Sequence, residues 1–228
     1  MTATMHGSAA SPQLTDAEAA AIEARVKTLE ARTGTQVVAA VVERSDLYHG
    51  LRWRAFAVAV SLTGFAVALL DELRPAWPAE HAVLLVLALV LGVGVAAALA
   101  ATVIPGFARL FLEPLRADAE VQRQAESLFL KRELFRTSGR DAILILASRF
   151  ERRSAVYADR GQRGRLPDDA WATVLARMDP LLAAGRTADA LLAGLEVVET
   201  LLPAHPAPPG GDAANELPDR PIVTEAPR

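Results

Sequence analysis

The chain contains no cysteine. A disulfide framework, a thiolate nucleophile and a cysteine-ligated zinc site are therefore excluded. Its four histidines, His6, His49, His81 and His205, are scattered without the short spacing of a metal-binding pair, so no histidine-based metal centre is expected. An excess of positive charge is also lacking. The 24 Lys and Arg residues stand against 27 Asp and Glu, a formal net charge of -3, and such a balance gives no reason to expect a nucleic-acid partner. The opening "MTATMHGSAASPQLTDAEAA" has no apolar core of the kind an export signal carries, and the N-terminus is not expected to be translocated by that route. Thr137 and Ser138 have no adjacent histidine and lack the paired glycines of a nucleophile elbow, which argues against serine-hydrolase chemistry.

Charge is missing altogether from two long stretches, "AFAVAVSLTGFAVALL" at 55–70 and "AVLLVLALVLGVGVAAALAATVIPGFA" at 82–108. At about 1.5 Å per helical residue the second suffices for a hydrocarbon core of about 30 Å, while the first reaches that length only if Leu51 and Trp53 extend it into the interface. The link "DELRPAWPAEH" reads as an exposed turn, so 51–108 is expected to form a transmembrane helical hairpin. Small residues recur every four positions at Ala88, Gly92, Ala96 and Ala100, and at Ala57 and Ser61, where they would let helices approach within the hairpin or between chains. Arg44, Arg52 and Arg54 precede the first span, Arg109 and Arg116 follow the second, and only Arg74 lies between them. The positive-inside rule then places both flanking regions and both termini in the cytoplasm, with the turn outside the plasma (inner) membrane.

The remaining sequence divides around this hairpin. Residues 1–13 carry no structural signal and are expected to be disordered. Within 14–48, Thr15 and Glu18 have capping-box spacing behind Leu14, Ile22, Val26 and Leu29 form a stripe, and Gly34 suits the position after a helix. "TQVVAAVVE" at 35–43 is apolar on both faces, the pattern of a central strand covered on both sides. One helix cannot cover it, so its partners must come from 109–203. There a helix with Val121, Ala125, Leu128 and Phe129 is followed by paired strands "AILILAS" and "RSAVYAD" and by two amphipathic helices. The fold class expected is α/β, a sheet of at least three strands flanked by helices, interrupted by the membrane hairpin. Residues 204–228 are rich in Pro and Gly and read as an irregular tail.

"LTDAEAAAIEARVKTLEARTGTQVVAAVV", "DAILILASRFERRSAVYADRG", "WATVLARMDPLLAAGRTADALLAGLEVVETLL" and the closing "NELPD" resemble, in order, the segments of the TPM-domain family, in particular a bacterial membrane-anchored branch. The resemblance implies a TPM-like α/β sheet and opens two functional readings. Some members are described as acid phosphatases, some bind divalent cations such as Ca²⁺ through a cluster of aspartates, and others are assembly or accessory factors. The chain departs from the common pattern in its inserted hairpin and in having Gly139-Arg140-Asp141 where many relatives have Asn-Gly.

The candidate chemistry rests on acids. Asp141 and Asp159 stand at the start and end of the strand pair, where a β-hairpin brings its two open ends together, with Arg140, Arg160 and Arg163 nearby. They are the candidate catalytic pair of a phosphatase and, with Asp212 from the tail, candidate ligands for Ca²⁺ or Mg²⁺, which favour several oxygen donors. The plainer reading of Asp159 is that Asp-Arg-Gly closes the turn after a strand. Asp168 and Asp169 open a helix, where acids complement the dipole. The partners expected are the lipid bilayer and either another membrane protein or a second copy of the chain.

Overall fold

The computed structural model describes residues 14–48, 50–73, 79–163, 166, 168–203 and 217–224. In chain order the elements are α1 (Asp16–Thr33), β1 (Val37–Val42), α2 (Gly50–Leu73), α3 (Ala79–Val103), α4 (Pro105–Arg109), α5 (Pro114–Lys131), β2 (Ile143–Ser148), β3 (Arg153–Ala158), α6 (Arg160–Arg163), α7 (Asp168–Ala183), α8 (Thr187–Leu201) and β4 (Ile222–Thr224). They fall into two compact units. One holds the described residues up to Ser45 and from Asp118 onward, and the other is built on Asp46–Ala117.

In the first unit, α1 begins as its sequence dictates. Thr15 accepts from the Glu18 N–H at 3.2 Å, and Glu18 accepts from the Thr15 N–H at 2.8 Å. Gly34 then ends the helix at φ 67°, a left-handed conformation that costs other residues more. The sheet has the order β3-β2-β1-β4, with β1 parallel to β2 and β4 and with β3 antiparallel to β2. All six residues of β1 are buried because the sheet is covered on both faces. Val37, Ala39 and Val41, with Ile143 and Ile145, pack beneath α1, α7 and α8. Val38, Ala40 and Val42, with Leu144 and Leu146, pack beneath Val121, Ala125, Leu128 and Phe129 of α5. Alternation along each strand thus supplies two cores, and each buried Val, Ile or Leu contributes roughly 1.5–3 kcal/mol. Glu199 on α8 pairs with Arg25 and, at 3.0 Å, with Arg32, tying α8 to α1.

The expectation of an irregular tail from residue 204 needs correction at its end, since Ile222–Thr224 adds a fourth, edge strand to β1. Three β-branched residues behind Pro221 are too short a run to stand out in a Pro/Gly-rich segment, and it is the open edge of β1 that makes them a strand.

The second unit consists of α2, α3 and α4 with their flanks. Both long helices are long and apolar enough to cross a membrane. α2 runs 24 residues from Gly50, which settles the question of its length raised by the shorter uncharged run. Their apolar side chains lie exposed, Leu62 by 65% and Val83 by 71%, which distinguishes them from core helices of a water-soluble domain. The two helices pack against one another at Gly94, where an added Cβ would lie 2.5 Å from Val60 Cγ2 and 2.8 Å from Phe56 Cε2. Gly92, which shares the four-residue spacing with Ala88 and Ala96, faces away with nothing within 4 Å. The close contact therefore uses the other glycine of the pair.

Candidate functional site

The N-terminal ends of β1 and β2 and the C-terminal end of β3 form one end of the sheet, and the segments that carry Asp141 and Asp159 meet there. The register pairs Ile143 with Ala158, and the next rung is made by the Asp159 N–H donating to Ala142 O at 2.9 Å. Asp141 and Asp159 consequently lie on neighbouring chain segments. Gly161 holds these segments together. Its N–H donates to Arg140 O at 2.9 Å, and a Cβ at this position would meet the same oxygen at 2.5 Å.

Asp159 is buried, and its two oxygens have different surroundings. Oδ1 accepts from the Arg160 N–H at 2.7 Å at the start of α6, so the turn-closing role is real. Oδ2 is buried without a hydrogen-bond partner, with Arg140 Nη1 4.0 Å away. Gln162 is completely buried. Its Nε2 donates to Thr35 Oγ1 at 3.0 Å, while its Oε1 has no hydrogen-bond partner. Thr137 Oγ1 is likewise buried without one. Buried polar atoms are normally satisfied, so three such oxygens on the loops around one strand end mark a place where a polar ligand or water would be stabilised.

Glu30, in the last turn of α1, joins this end of the sheet and was not singled out in the sequence. Its Oε1 accepts from the Val37 N–H at 2.8 Å. Burial, followed by the hydrogen-bonded Asp219 carboxylate and the charge of Asp141, raises its pKa to about 7, against the lowering effect of the Val37 hydrogen bond. Near neutrality Glu30 is therefore only partly ionised, and its side chain is hydrogen-bonded to Asp219, which also lies 3.8 Å from Lys27 Nζ. Leu217, two residues earlier, donates its N–H to Gln36 Oε1 at 3.2 Å and fixes this part of the tail beside β1. The available sequence signal was an acid at the C-terminal end of a helix, where the dipole disfavours a negative charge. Gln162 gave no signal at all, being an ordinary polar residue after a turn.

Other acids are placed differently. Asp118 pairs with Arg153 at 2.8 Å, and Asp169 is exposed on the first turn of α7. Asp212 lies outside the described residues. At the opposite end of the sheet, Glu151 in the strand link turns inward, accepting from the Ser45 N–H at 2.8 Å and from the Ser148 hydroxyl. That acid closes the strand ends and is absorbed by its partners. Among the described residues no three His, Asp or Glu side chains are arranged to hold a metal ion. The donors of Asp141, Asp159 and Gln162 are all oxygen, which suits Ca²⁺ or Mg²⁺ in kind, while the carboxylates are too few to form a complete shell.

Residues 110–201 match the family model of the TPM domain. The match spans α5 through α8, so α1 and β1, the opening segments of the resemblance read in the sequence, lie before it. In fold, the chain is similar to the BA42 protein of the psychrophilic bacterium Bizionia argentinensis, whose NMR structure superposes with a TM-score of 0.53 at 14% identity, covering 93% of this chain and 97% of that one. No curated protein matches the sequence.

Proposed function

From the premise that this chain carries a TPM domain at 110–201, preceded by two helices long enough to cross a membrane, we propose that it is a multi-pass inner-membrane protein whose TPM domain binds another membrane protein or a second copy of itself. In this role it supports the assembly or maintenance of an envelope complex. The observation that carries the reading is the place of the insertion. β1 and β2 are hydrogen-bonded neighbours, yet the chain between them contains both apolar helices. Two crossings return the chain to the side it left, so a continuous sheet is compatible with a hairpin through the bilayer. Arg44, Arg52, Arg54, Arg109 and Arg116 at its base favour the cytoplasm for that side. Affinity purification of the full chain from crosslinked membranes tests the partner role. One reproducible partner, or a crosslinked homo-oligomer, is expected, and recovery of the chain alone as a monomer would contradict it.

A second reading, a divalent-metal-dependent acid phosphatase, is favoured by Asp159 Oδ2, a buried carboxylate oxygen without a hydrogen-bond partner. Asp159 and Asp141 would hold the cation with help from Gln162. When bound, the ion would supply charge neutralisation for a phosphoryl group. The chain's own residues would contribute Arg140 and Arg160 for orienting that group and Glu30, whose pKa is raised to about 7, as an acid near neutral pH. Calorimetry with Ca²⁺ and Mg²⁺, paired with phosphate release from a generic phosphomonoester, decides the matter. Heat and release that both vanish in Asp159→Asn would support the enzyme, and neither signal in the parent chain would remove it.

A further inference from the structure

Residues 217–224 cross the edge of β1 that β2 leaves open, as a short strap, and most of what holds them there is slight. β4 contributes three residues, and its last rung, from the Glu43 N–H to Thr224 O, is 3.2 Å long. The Leu217 N–H reaches Gln36 Oε1 at 3.2 Å, and Leu217 and Ile222 are only partly buried against the core beneath α5. Arg220 lies 3.2 Å from Asp16, whose side chain is fully exposed, and such a pair contributes little. Within the strap only Asp219 and Pro221 are buried. Segments held by so few buried contacts open without unfolding their surroundings.

Asp219 is the strongest hold. Its side chain, 7% exposed, is hydrogen-bonded to Glu30, whose Oε1 also accepts from the Val37 N–H at 2.8 Å. Two carboxyl groups hydrogen-bond to one another only while one of them carries a proton. Once both are ionised, like charges face each other in a poorly solvated place. The groups around the pair do little to relieve this. From α1, Lys27 lies 3.8 Å from Asp219 and is already paired with Glu23 at 2.7 Å. From the turn before β2, Asp141 adds negative charge, and on the strap Arg220 is engaged by Asp16. β1 presents the Val37 N–H and the Gln36 amide, which are uncharged.

We propose that the hydrogen bond between the Glu30 and Asp219 carboxyl groups latches the strap onto the edge of β1, and that loss of its proton releases residues 217–224 while the rest of the sheet stays folded. Burial first, then Asp219 and Asp141, raise the Glu30 pKa to about 7 against the lowering effect of the Val37 hydrogen bond. The latch is therefore closed in mild acid and opens as pH rises through neutrality.

Amide hydrogen exchange of the full chain in detergent micelles, read at single residues and divided by the intrinsic rate at each pH, tests the latch. The amides of Glu43 and Leu217, which tie the strap down, are expected to be less protected than those of Leu144–Leu146 in β2. Their protection should fall about tenfold between about pH 5.5 and 8.5. Glu30→Gln and Asp219→Asn each keep a hydrogen bond between the two side chains without like charges, and should reduce that fall to about twofold or less. Equal protection of these amides and of β2 would mean that the strap opens only with the whole sheet, and would overturn the proposal. Protection independent of pH in the parent chain would do the same, and neither comparison depends on a variant. A tenfold fall that persists in both variants would remove the Glu30–Asp219 pair as its cause.

Discussion

β1 and α3 are both rich in Val and Ala, "VVAAVV" in one and "AEHAVLLVLALVLGVGVAAALAATV" in the other, yet the protein treats them in opposite ways. Every side chain of β1 is buried between two layers of helices, whereas α3 displays Val83, Leu84, Leu85, Leu87 and Leu89 at its surface. Apolar composition alone therefore does not determine where a segment lies. Length and neighbours do. A six-residue run between a helix-ending glycine and a polar loop can be covered by α1, α5, α7 and α8, each apolar along the face it turns to the sheet. A 25-residue helix whose aliphatic side chains lie largely exposed is instead long and apolar enough to cross a membrane.

The same substitution placed in both regions gives the largest test of this contrast. Ile145→Asp puts an unpaired charge into the doubly covered sheet and should cost more than about 4 kcal/mol, seen as loss of the cooperative thermal transition of the soluble unit. Leu89→Asp should leave that transition in place and instead oppose insertion by about 3 kcal/mol, measured as a smaller carbonate-resistant membrane fraction. If Leu89→Asp melted the α/β unit, the two regions would not be separate in the way described.

A smaller effect distinguishes the two glycines of α3. Gly94→Leu should destabilise the hairpin by about 1–3 kcal/mol because Phe56 and Val60 occupy the space, while Gly92→Leu should be close to neutral. Detergent-denaturation curves read from Trp53 fluorescence, in a background of Trp77→Phe and Trp171→Phe, would resolve the difference.

The smallest effect lies in the soluble unit and is electrostatic. The folded-state pKa of Glu30 is raised from 4.5 to about 7, so between these values the native chain binds more protons than the unfolded one. Its contribution is complete below about pH 4.5 and is lost as pH rises through about 7. Urea midpoints should therefore fall between about pH 5 and pH 8, by an amount equivalent to about 1 kcal/mol once the partial exposure of Glu30 is allowed for. Glu30→Gln should flatten that slope. An unchanged slope in the variant would assign the pH dependence elsewhere.

Much of the fold was legible because local and global signals agreed. The capping box at Thr15 and Glu18, the stripe Ile22-Val26-Leu29 and the doubly apolar β1 each had one physical interpretation. The placing of Asp141 and Asp159 on neighbouring chain segments at one end of the sheet also followed from the hairpin pattern. Features that depend on tertiary neighbours were not legible. β4 exists because β1 offers it an edge, and Glu30 takes on its character because Asp219 arrives from 189 positions away along the chain. Gly94 and Gly92 are equivalent in sequence, and only the position of α2 separates them. Gly161, which reads as a turn residue, is required instead by the close passage of Arg140 O.

The absence of native cysteine makes the central claim directly measurable. Single cysteines at Ala79, at the start of α3, and at Ser138, exposed on the soluble unit, can be probed with a membrane-impermeant thiol reagent on intact cells. A hairpin through the bilayer with a cytoplasmic TPM domain predicts labelling of Ala79→Cys from outside and of Ser138→Cys only after lysis. Identical labelling at the two positions would contradict a membrane between the two regions, and the reverse order would overturn the cytoplasmic orientation.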